Sequence, residues 1–379
     1  MQSKLPHVGT TIFTVMSKMA QDHNAINLSQ GFPDFDCPER LKELVVAHLN
    51  GGKNQYPPMA GVPILRQQIA AKIKSHYRFV ADPETEITVT SGATEALFDA
   101  IQAVVGKGDE VIVFDPAYDS YEPAVTLAGG KCVHIPLRLP DFSVDWQRLG
   151  DAITARTRLI IINSPHNPCG GILSNDDLDQ LAALTRERNI LVLSDEVYEH
   201  MVFDGAQHLS VLSHDELSQR AFAVFSFGKT YHATGWKLAY CVARAPLTAE
   251  FRKVHQFVTF TSTSFLQYAI ADFMAECPEH AIELPAFYQA KRDLFCKLLS
   301  DSRFTYTPSR GTYFQIVDYS AISDQSDVEF ANTLTREHGV AAIPLTPFYE
   351  EPSGAPLIRF CFCKDDNTLK QAVEILCRL

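Results

Sequence analysis

The first candidate for chemistry is Lys229, which lies in the stretch SFGKTYHATGWK at residues 226–237. The apolar run at 221–225 predicts a buried strand that ends shortly before this lysine. Burial disfavours an ammonium group, so the pKa of such a lysine falls from its usual value of about 10.4 and the free amine can attack a carbonyl carbon. The stretch therefore predicts a lysine that forms a Schiff base, although a solvated loop lysine would give the same short motif.

A turn at residues 91–94 is a candidate phosphate site. The alternating segment 86–90 predicts a strand, and helical periodicity begins at Ala96. Unpaired amides and the positive end of the helix dipole make the start of a helix a binding site for an anion, above all a phosphate. The alternative is a helix without a ligand, in which Ser91 and Thr94 act as caps.

Polar side chains also follow other predicted strands. Asp195 comes directly after the apolar run 190–194, where an acid is costly unless it is paired or functional. Asn167 projects from a loop rich in proline and glycine that follows the strand at 158–163, and Tyr118 follows another buried strand. A ligand crevice of a parallel sheet lies at the carboxyl ends of its strands, so we expect these side chains to face one ligand.

One cofactor explains this set of residues, and we predict pyridoxal 5'-phosphate. Enzymes that use it form a Schiff base with a lysine and place an acid at the pyridinium nitrogen, so that the protonated ring withdraws electrons from an α-carbanion. We assign Lys229 and Asp195 to these two roles, with Tyr198 as a third catalytic residue. The other predicted cofactor contacts are Gly92, Ala93, Thr94, Ser226 and Lys237 at the phosphate, Asn167 and Tyr198 at the phenolate oxygen, and Tyr118 on the ring face.

Arg359, in the predicted strand 357–360, is the candidate for the substrate carboxylate. Its planar guanidinium suits a bidentate grip on a carboxylate, although an arginine in a strand is otherwise most often a surface residue. Gly31 lies in a turn where the bare backbone can approach a ligand closely, and an ordinary loop is the alternative. The predicted substrate-binding residues are Gly31, Asn167, Arg359 and Phe13, and we predict no metal site.

The elements that must position these residues alternate between helix and strand from residue 86 to residue 243. This order predicts an α/β fold with an open, mostly parallel sheet and helices on both faces. After residue 245, long helices precede further strands, which predicts a smaller α+β domain. We predict an N-terminal arm with part of the small domain at 1–48, a large cofactor-binding domain at 49–283 and a C-terminal small domain at 284–379.

The composition argues against several classes of protein. Of 379 residues, 46% are hydrophobic and 21% charged, as in soluble globular proteins, and the formal net charge of −12 argues against a nucleic-acid surface. No apolar run approaches the roughly 20 residues that a membrane span needs. Nine scattered cysteines without a disulfide framework, and no pattern typical of a secretion signal, lead us to expect a cytoplasmic protein.

The chain resembles the fold-type I pyridoxal-phosphate enzymes, and among them the class I and II aminotransferases of the branch that contains kynurenine/glutamine and bacterial methionine aminotransferases. The resemblance covers nearly the whole chain and rests on the motifs NLSQGFPDF (27–35), NQYPPMAG (54–61), VTSGATEAL (89–97), FDPAYDSY (114–121), NSPHNPCGG (163–171), SDEVYEH (194–200), SFGKTYHATGWK (226–237) and LIRF (357–360). It implies that Lys229 forms the aldimine with the cofactor and that Asp195 contacts the pyridinium nitrogen. It also implies that Asn167 and Tyr198 bind the phenolate oxygen and that Arg359 holds the substrate carboxylate.

The resemblance further implies a homodimer in which Tyr56 reaches the phosphate of the neighbouring subunit. Relatives often have arginine at the position of Lys237, where lysine keeps the charge but replaces a bidentate contact by a point charge. The segment Leu238-Ala-Tyr240 departs from the glycine and aromatic residue that relatives usually have there.

The expected reaction is ping-pong transamination between an amino-acid donor and a 2-oxo-acid acceptor. A dicarboxylate donor needs a second cation, and none is evident near the predicted pocket, so we expect acidic donors to be poor. An aromatic wall suits a thioether or an aromatic ring, and its predicted members are Phe13, Phe32, Tyr56, Tyr118 and Phe260. Methionine is the first expected donor, followed by phenylalanine, tyrosine, kynurenine and glutamine.

Three other functions compete with this one. A cysteine-conjugate carbon–sulfur β-lyase would use the same lysine and cofactor, and the sequence does not fix which bond breaks. A dinucleotide-dependent dehydrogenase would share the sheet, but the chain has no G-x-G-x-x-G between an early strand and a helix. A sensor module of a transcription regulator would need an attached DNA-binding domain, for which we find no basic segment.

Overall fold

The structure is a computed structural model, and it describes residues 3–186 and 188–379. The helices are α1 Ile12–Asp22, α2 Glu39–Asn50, α3 Pro63–Tyr77, α4 Ala93–Val104, α5 Tyr121–Ala128, α6 Trp146–Ala152, α7 Asn175–Arg186, α8 Phe227–Thr230, α9 Ala245–Val258, α10 Ser264–Glu276, α11 Glu279–Leu299, α12 Asp327–Glu337 and α13 Asp366–Leu376. The strands are β1 Ile26–Asn27, β2 Ile87–Thr90, β3 Glu110–Asp115, β4 Lys131–Pro136, β5 Thr157–Asn163, β6 Leu191–Asp195, β7 Ala221–Ser226, β8 Ala239–Val242, β9 Phe314–Asp318, β10 Val340–Ala341, β11 Ile343–Pro344 and β12 Leu357–Cys361. None of the helices in these ranges is long and apolar enough to cross a membrane.

The large sheet has seven strands in the order β2-β8-β7-β6-β5-β3-β4. β8 pairs antiparallel with both of its neighbours, whereas the pairs from β7 to β4 are all parallel. The prediction of an α/β fold with a mostly parallel sheet is therefore confirmed. Because the parallel strands share one direction, their carboxyl ends lie along one edge of the sheet.

The central strands are apolar because both faces of the sheet are covered. Ile112 and Phe114 of β3 pack into the core on one face, and Val111 and Val113 pack into the core on the other. Alternate residues of a strand point to opposite faces, so a strand that is buried on both faces has no polar side. Acidic residues are then found at the strand ends, and Asp195 is the last residue of β6.

The smaller antiparallel sheet has the order β11-β12-β9, and its core also includes residues of α11, α12 and α13. β12 is the central strand, and there Arg359 lies in register between Ile343 and Ile316. Near the N-terminus, β1 pairs in parallel with β10, and α2 packs against α10. The division into segments 1–48, 49–283 and 284–379 stays a prediction.

Candidate active site

A cavity of about 330 Å³ lies at the carboxyl edge of the large sheet, beside the smaller sheet. It brings together predicted residues from both parts of the chain, namely Phe13, Gly31, Gly92, Ala93, Thr94, Tyr118, Asn167, Asp195, Tyr198, Ser226, Lys229, Lys237 and Arg359. Tyr56 is the predicted site residue that lies outside this cavity in the single chain.

Lys229 lies in the single-turn helix α8, so the preceding strand β7 delivers its amine to the cavity. Nζ donates hydrogen bonds to the hydroxyl of Tyr313 at 2.7 Å and to the carbonyl oxygen of Gly31 at 3.2 Å. The Tyr313 hydroxyl donates to the same carbonyl oxygen at 2.5 Å. Burial lowers the pKa of Lys229 to about 8, so this amine loses its proton far more readily than a surface lysine does.

Asp195 is buried at the end of β6. Its Oδ2 accepts a hydrogen bond from the Tyr121 hydroxyl at 2.8 Å, and its Oδ1 accepts the N–H of Val197 at 3.4 Å. Burial raises the pKa of Asp195 to about 6, although the hydrogen bond from Tyr121 and the charge of Lys229 oppose that rise. At neutral pH the group is therefore a buried carboxylate, which a cationic ligand would stabilise.

The turn before α4 is open to an anion. Gly92 is the N-cap residue and provides no side-chain hydrogen bond to the first turn. Its φ of +91° is rarely adopted by L-residues, and a Cβ there would lie 2.9 Å from Cε of Lys237. The alternative of side-chain caps is wrong, because the Ser91 hydroxyl contacts that of Ser262 at 3.1 Å and Thr94 lies inside the helix. The start of α4 therefore lines a cavity that also holds the Lys237 side chain.

Arg359 projects from β12 and is 1% exposed. Nη1 donates to Oδ1 of Asn167 at 2.8 Å, and Nη2 donates to the carbonyl oxygen of Ser29 at 2.9 Å. Nε is buried without a hydrogen-bond partner. No described carboxylate lies within ion-pair distance of the guanidinium, although its charge opposes the rise that burial causes in the pKa of Asp119. Burial lowers the pKa of Arg359. Since a buried cation without a directly paired counter-ion is costly, the site is suited to receive an anion.

Aromatic rings cover the guanidinium and the cavity wall. The ring centroid of Phe314 lies 3.8 Å from Cζ of Arg359, and that of Phe13 lies 5.4 Å away. Tyr118 and Tyr198 also line the cavity, and burial raises the pKa of both phenols. The phenols are therefore neutral hydrogen-bonding groups at physiological pH.

Three members of the predicted aromatic wall lie outside the cavity of a single chain. Tyr56 is 84% exposed and packs edge to face on Phe260, with ring centroids 5.6 Å apart. Phe32 lies beside Lys364, whose Nζ is 4.9 Å from the ring centroid and donates to the Phe32 carbonyl oxygen at 2.7 Å. Within one chain, Phe314 takes part in the wall in their place.

Sequence reasoning missed four residues that shape the site: Tyr121, Asn163, Tyr313 and Phe314. Asn163 is the last residue of β5 and pairs in register with Asp195, so its place at a strand end was a usable signal. Tyr121 could also be predicted from the sequence, because it lies in the same turn as the predicted site residue Tyr118. Tyr313 and Phe314 enter from the smaller sheet, and no local pattern predicts which residues of one sheet fold over another.

The residues fit pyridoxal phosphate. A buried amine, a buried carboxylate and a helix start beside a lysine line one cavity. The amine suits the aldehyde of the cofactor, the carboxylate suits its protonated pyridine ring, and the helix start suits its phosphate. The donor set therefore agrees with the cofactor that the sequence predicts.

Comparisons with known proteins support the same chemistry. The family model for aminotransferase class I and II matches residues 23–376. The methionine aminotransferase of Escherichia coli strain K12 is 53% identical over 378 residues, which is 100% of this chain and 98% of the relative. A solved Escherichia coli structure, described as having a methionine aminotransferase function, matches with a TM-score of 0.98 at 53% identity over 100% of this chain and 99% of the other. The probable N-succinyldiaminopimelate aminotransferase of Mycobacterium tuberculosis is 38% identical over 99% of this chain and 97% of the relative. The chain therefore belongs to the class I and II aminotransferases and is a pyridoxal-phosphate-dependent aminotransferase.

Proposed function

We propose that the protein transfers the amino group of methionine, or of another amino acid with an apolar side chain, to a 2-oxo acid. The observation that carries this proposal is the buried guanidinium of Arg359, whose Nε has no hydrogen-bond partner in the described chain and which lies against Phe314. The guanidinium fits one carboxylate, and the aromatic wall beside it fits an apolar side chain. The activity in the name of the Escherichia coli relative supports the same donor.

The cavity disfavours acidic donors. The lysines and arginines among its described lining residues are Lys229, Lys237 and Arg359, and the first two serve the cofactor in this proposal. A second carboxylate on the donor would meet Phe13 and Phe314 without a counter-charge, and desolvation of such a charge is costly. A thioether instead gains about 0.3–1.5 kcal/mol from each contact with an aromatic ring.

When bound, the cofactor supplies the electron sink for the carbon atom that loses its proton. Asp195 would hold the proton on the pyridine nitrogen, because its carboxylate is ionised above about pH 6. Tyr121 orients that carboxylate through their 2.8 Å hydrogen bond. Of the other residues that line the cavity, Gly92, Ala93, Thr94, Ser226 and Lys237 would hold the phosphate, Asn167 and Tyr198 would bind the phenolate oxygen, and Tyr118 would cover the ring face.

Lys229 first anchors the cofactor and then moves the substrate proton. With a pKa lowered to about 8, its amine could accept the proton of the substrate α-carbon. The Tyr313 hydroxyl and the Gly31 carbonyl oxygen accept hydrogen bonds from Nζ, so they hold the protonated amine at one point of the cavity.

Arg359 binds the α-carboxylate of the donor and of the acceptor in turn, which gives ping-pong kinetics. Asn167 and Ser29 each accept one of its N–H groups, so they fix the plane of the guanidinium before the substrate arrives. The N–H at Nε has no partner in the described chain and is available to the substrate. Such preorganisation leaves less ordering to be done at binding.

The functional unit in this proposal is a homodimer, in which Tyr56 reaches the cofactor phosphate of the partner subunit. Tyr56 and Phe257 are 84% and 85% exposed, and Tyr56 packs on Phe260. Large apolar side chains this exposed suit an interface, and a second copy of the chain would cover them. All nine cysteines are free, which supports a reducing compartment such as the cytoplasm.

The test of the donor is a panel of single amino acids mixed with the holoenzyme in the absence of an acceptor. The readout is the loss of the visible absorbance of the lysine-bound cofactor. We expect methionine to react fastest, phenylalanine and tyrosine to follow, and aspartate to react most slowly. A fastest reaction with aspartate would contradict the proposed pocket. Release of pyruvate and ammonia from a cysteine conjugate, without formation of pyridoxamine phosphate, would favour the carbon–sulfur β-lyase.

A further inference from the structure

A cluster of three ionisable side chains lies outside the cavity and joins α4 to α9. Glu95, Asp99 and His255 have side chains that are 7%, 0% and 0% exposed, and their ligand atoms lie within 4.8 Å of one another. Nδ1 of His255 lies 2.7 Å from Oε1 of Glu95 and 3.4 Å from Oδ2 of Asp99. None of the three lines the cavity.

The geometry of the cluster favours a protonated imidazole. Burial alone would lower the pKa of His255, but the facing carboxylates of Asp99 and Glu95 outweigh it and raise that pKa to about 9. Both oxygens of Asp99 are buried and accept no hydrogen bond from the described chain, so the imidazolium is the charge that compensates this carboxylate. The cluster thus holds a cation between two acids.

Glu95 connects this cluster to the turn at 91–94. Its Oε2 accepts the N–H of Ser91 at 2.6 Å, while its Oε1 is held by His255. Ser91 directly precedes Gly92, whose φ of +91° sets the direction in which the chain enters α4. The Glu95 carboxylate therefore fixes Ser91, and through Ser91 it fixes the orientation of the start of α4 toward the cavity.

His255 connects the same carboxylate to the segment 54–61. Its Nε2 donates to the carbonyl oxygen of Met59 at 3.1 Å, and Thr261, shortly after α9, donates to the carbonyl oxygen of Pro58 at 3.2 Å. This segment carries Tyr56, the residue proposed to serve the partner subunit. The His255 imidazolium therefore links the turn at 91–94 of one subunit to the segment 54–61, which is proposed to reach the cavity of the partner subunit.

We propose that Glu95 and His255 are positioning residues for the phosphate-binding turn: Glu95 fixes the amide of Ser91, and His255 fixes Glu95 and joins it to the segment 54–61. Asp99 provides the second negative charge that keeps the imidazole protonated. This inference rests on the assignment of the turn at 91–94 to the cofactor phosphate, which is part of the proposed function. It makes the strength of phosphate binding depend on side chains that do not touch the phosphate.

The test compares the affinity of the apoenzyme for pyridoxal phosphate with its affinity for pyridoxal, which lacks the phosphate. The ratio of the two dissociation constants isolates the contribution of the turn to phosphate binding, because general damage to the fold weakens the binding of both ligands alike. Glu95→Ala removes the acceptor of the Ser91 amide and should lower the preference for the phosphorylated ligand about tenfold. His255→Gln should lower it as well, and Glu95→Gln should lower it less, because its amide oxygen still accepts the Ser91 N–H.

The matched control is Glu86→Gln. Glu86 is a buried carboxylate just before the opposite end of β2, so this variant should leave the preference unchanged. If Glu95→Ala fails to fold, Glu95→Gln and His255→Gln decide the question, because both keep the size of the side chain. The inference is overturned if both variants keep the wild-type preference for the phosphorylated ligand. It is also overturned if they lose affinity equally for pyridoxal phosphate and for pyridoxal.

Two further measurements show whether a bound metal ion or a wrong cofactor assignment explains a negative result. A stoichiometric divalent metal ion in the purified protein that is lost in His255→Gln would overturn the inference, because a metal at Nδ1 displaces the proton that bonds Glu95. Borohydride reduction of the wild-type holoenzyme should leave the pyridoxyl mass on the peptide that contains Lys229. If that mass is absent, the proposed function itself fails, whatever the ligand preference shows.

Discussion

The Tyr121 hydroxyl donates a 2.8 Å hydrogen bond to Oδ2 of Asp195, and both side chains are buried. Tyr121 is the first residue of α5 and Asp195 is the last residue of β6. Burial raises the pKa of Asp195, and the hydrogen bond from Tyr121 works against that rise. The tyrosine therefore favours the ionised form of an acid whose ionisation burial opposes.

Asp195→Asn should retain the cofactor and lower turnover by about two to three orders of magnitude, because a neutral amide cannot hold the proton of the pyridine ring. Tyr121→Phe is the milder comparison, since it keeps the carboxylate but removes the donor that lowers the pKa of Asp195. In that variant the acid limb of the pH–rate profile should move to higher pH. Near wild-type turnover of Asp195→Asn at full cofactor occupancy would show that another group charges the ring.

Lys229→Ala should fold and bind the cofactor without a covalent bond, because the contacts proposed for the phosphate remain. Turnover should be abolished, since no amine is left to move the proton of the substrate. Mass spectrometry after borohydride reduction should find no pyridoxyl adduct in this variant. In the surface variant Lys253→Ala the adduct should remain on Lys229, and a different adduct site there would refute the assignment.

Arg359→Lys should lower kcat/KM for methionine about a hundredfold, mainly through a higher KM, because an ammonium cannot reproduce the bidentate contact with a carboxylate. Arg158→Lys is the matched control. Arg158 lies near the start of β5, far along that strand from the cavity edge, and its Nε donates to the carbonyl oxygen of Val104 at 3.1 Å. Steady-state kinetics with several donors would contradict the proposed role if both variants behaved alike.

His255 should make the thermal stability of the apoenzyme depend on pH. The pKa of His255 is raised from 6.5 to about 9 in the folded state, so the proton is bound more tightly by the folded chain than by the unfolded chain. Its stabilising contribution is therefore complete below pH 6.5 and is lost as the pH rises through 9. The difference in unfolding temperature between the wild type and His255→Gln should shrink over that interval, and a constant difference would rule out the titration. In Asp99→Asn the stabilising contribution of His255 should be lost from a lower pH, because Asp99 helps to raise the pKa of His255.

Phe257→Asp should weaken the proposed dimer and reduce activity together, because a charge in the buried centre of an interface is costly. Val80→Asp places the same charge on another exposed apolar residue, one that is 66% exposed after α3, and should leave the assembly unchanged. Light scattering at micromolar concentration gives the mass of each variant. A fully active wild-type monomer would remove the proposed role of Tyr56 in the partner site.

The residues that follow buried strands could be predicted from the sequence, because a charged residue at or shortly after the end of an apolar run is costly without a task. Asp195 and Lys229 are such residues, and the structure brings both to one cavity. Arg359 was recognised as a candidate, but its burial against Phe314 depends on how one sheet packs over another. His255 gave no signal, since Glu95 lies 160 residues away in the sequence and only the packing of α4 on α9 brings them together.

The reversal of direction at β8 also limits how the length of this chain can vary. Because β7 and β8 are antiparallel neighbours, the connection at 227–238 leaves and re-enters the sheet at the same edge. Lys229 stands near its start and Lys237 at its end, so one short excursion sets the spacing between the amine and the second cation. A single inserted or deleted residue there would turn one lysine away from the cavity while both strands stayed paired. The length of this connection is therefore constrained, unlike that of an ordinary surface loop, which can change at little entropic cost.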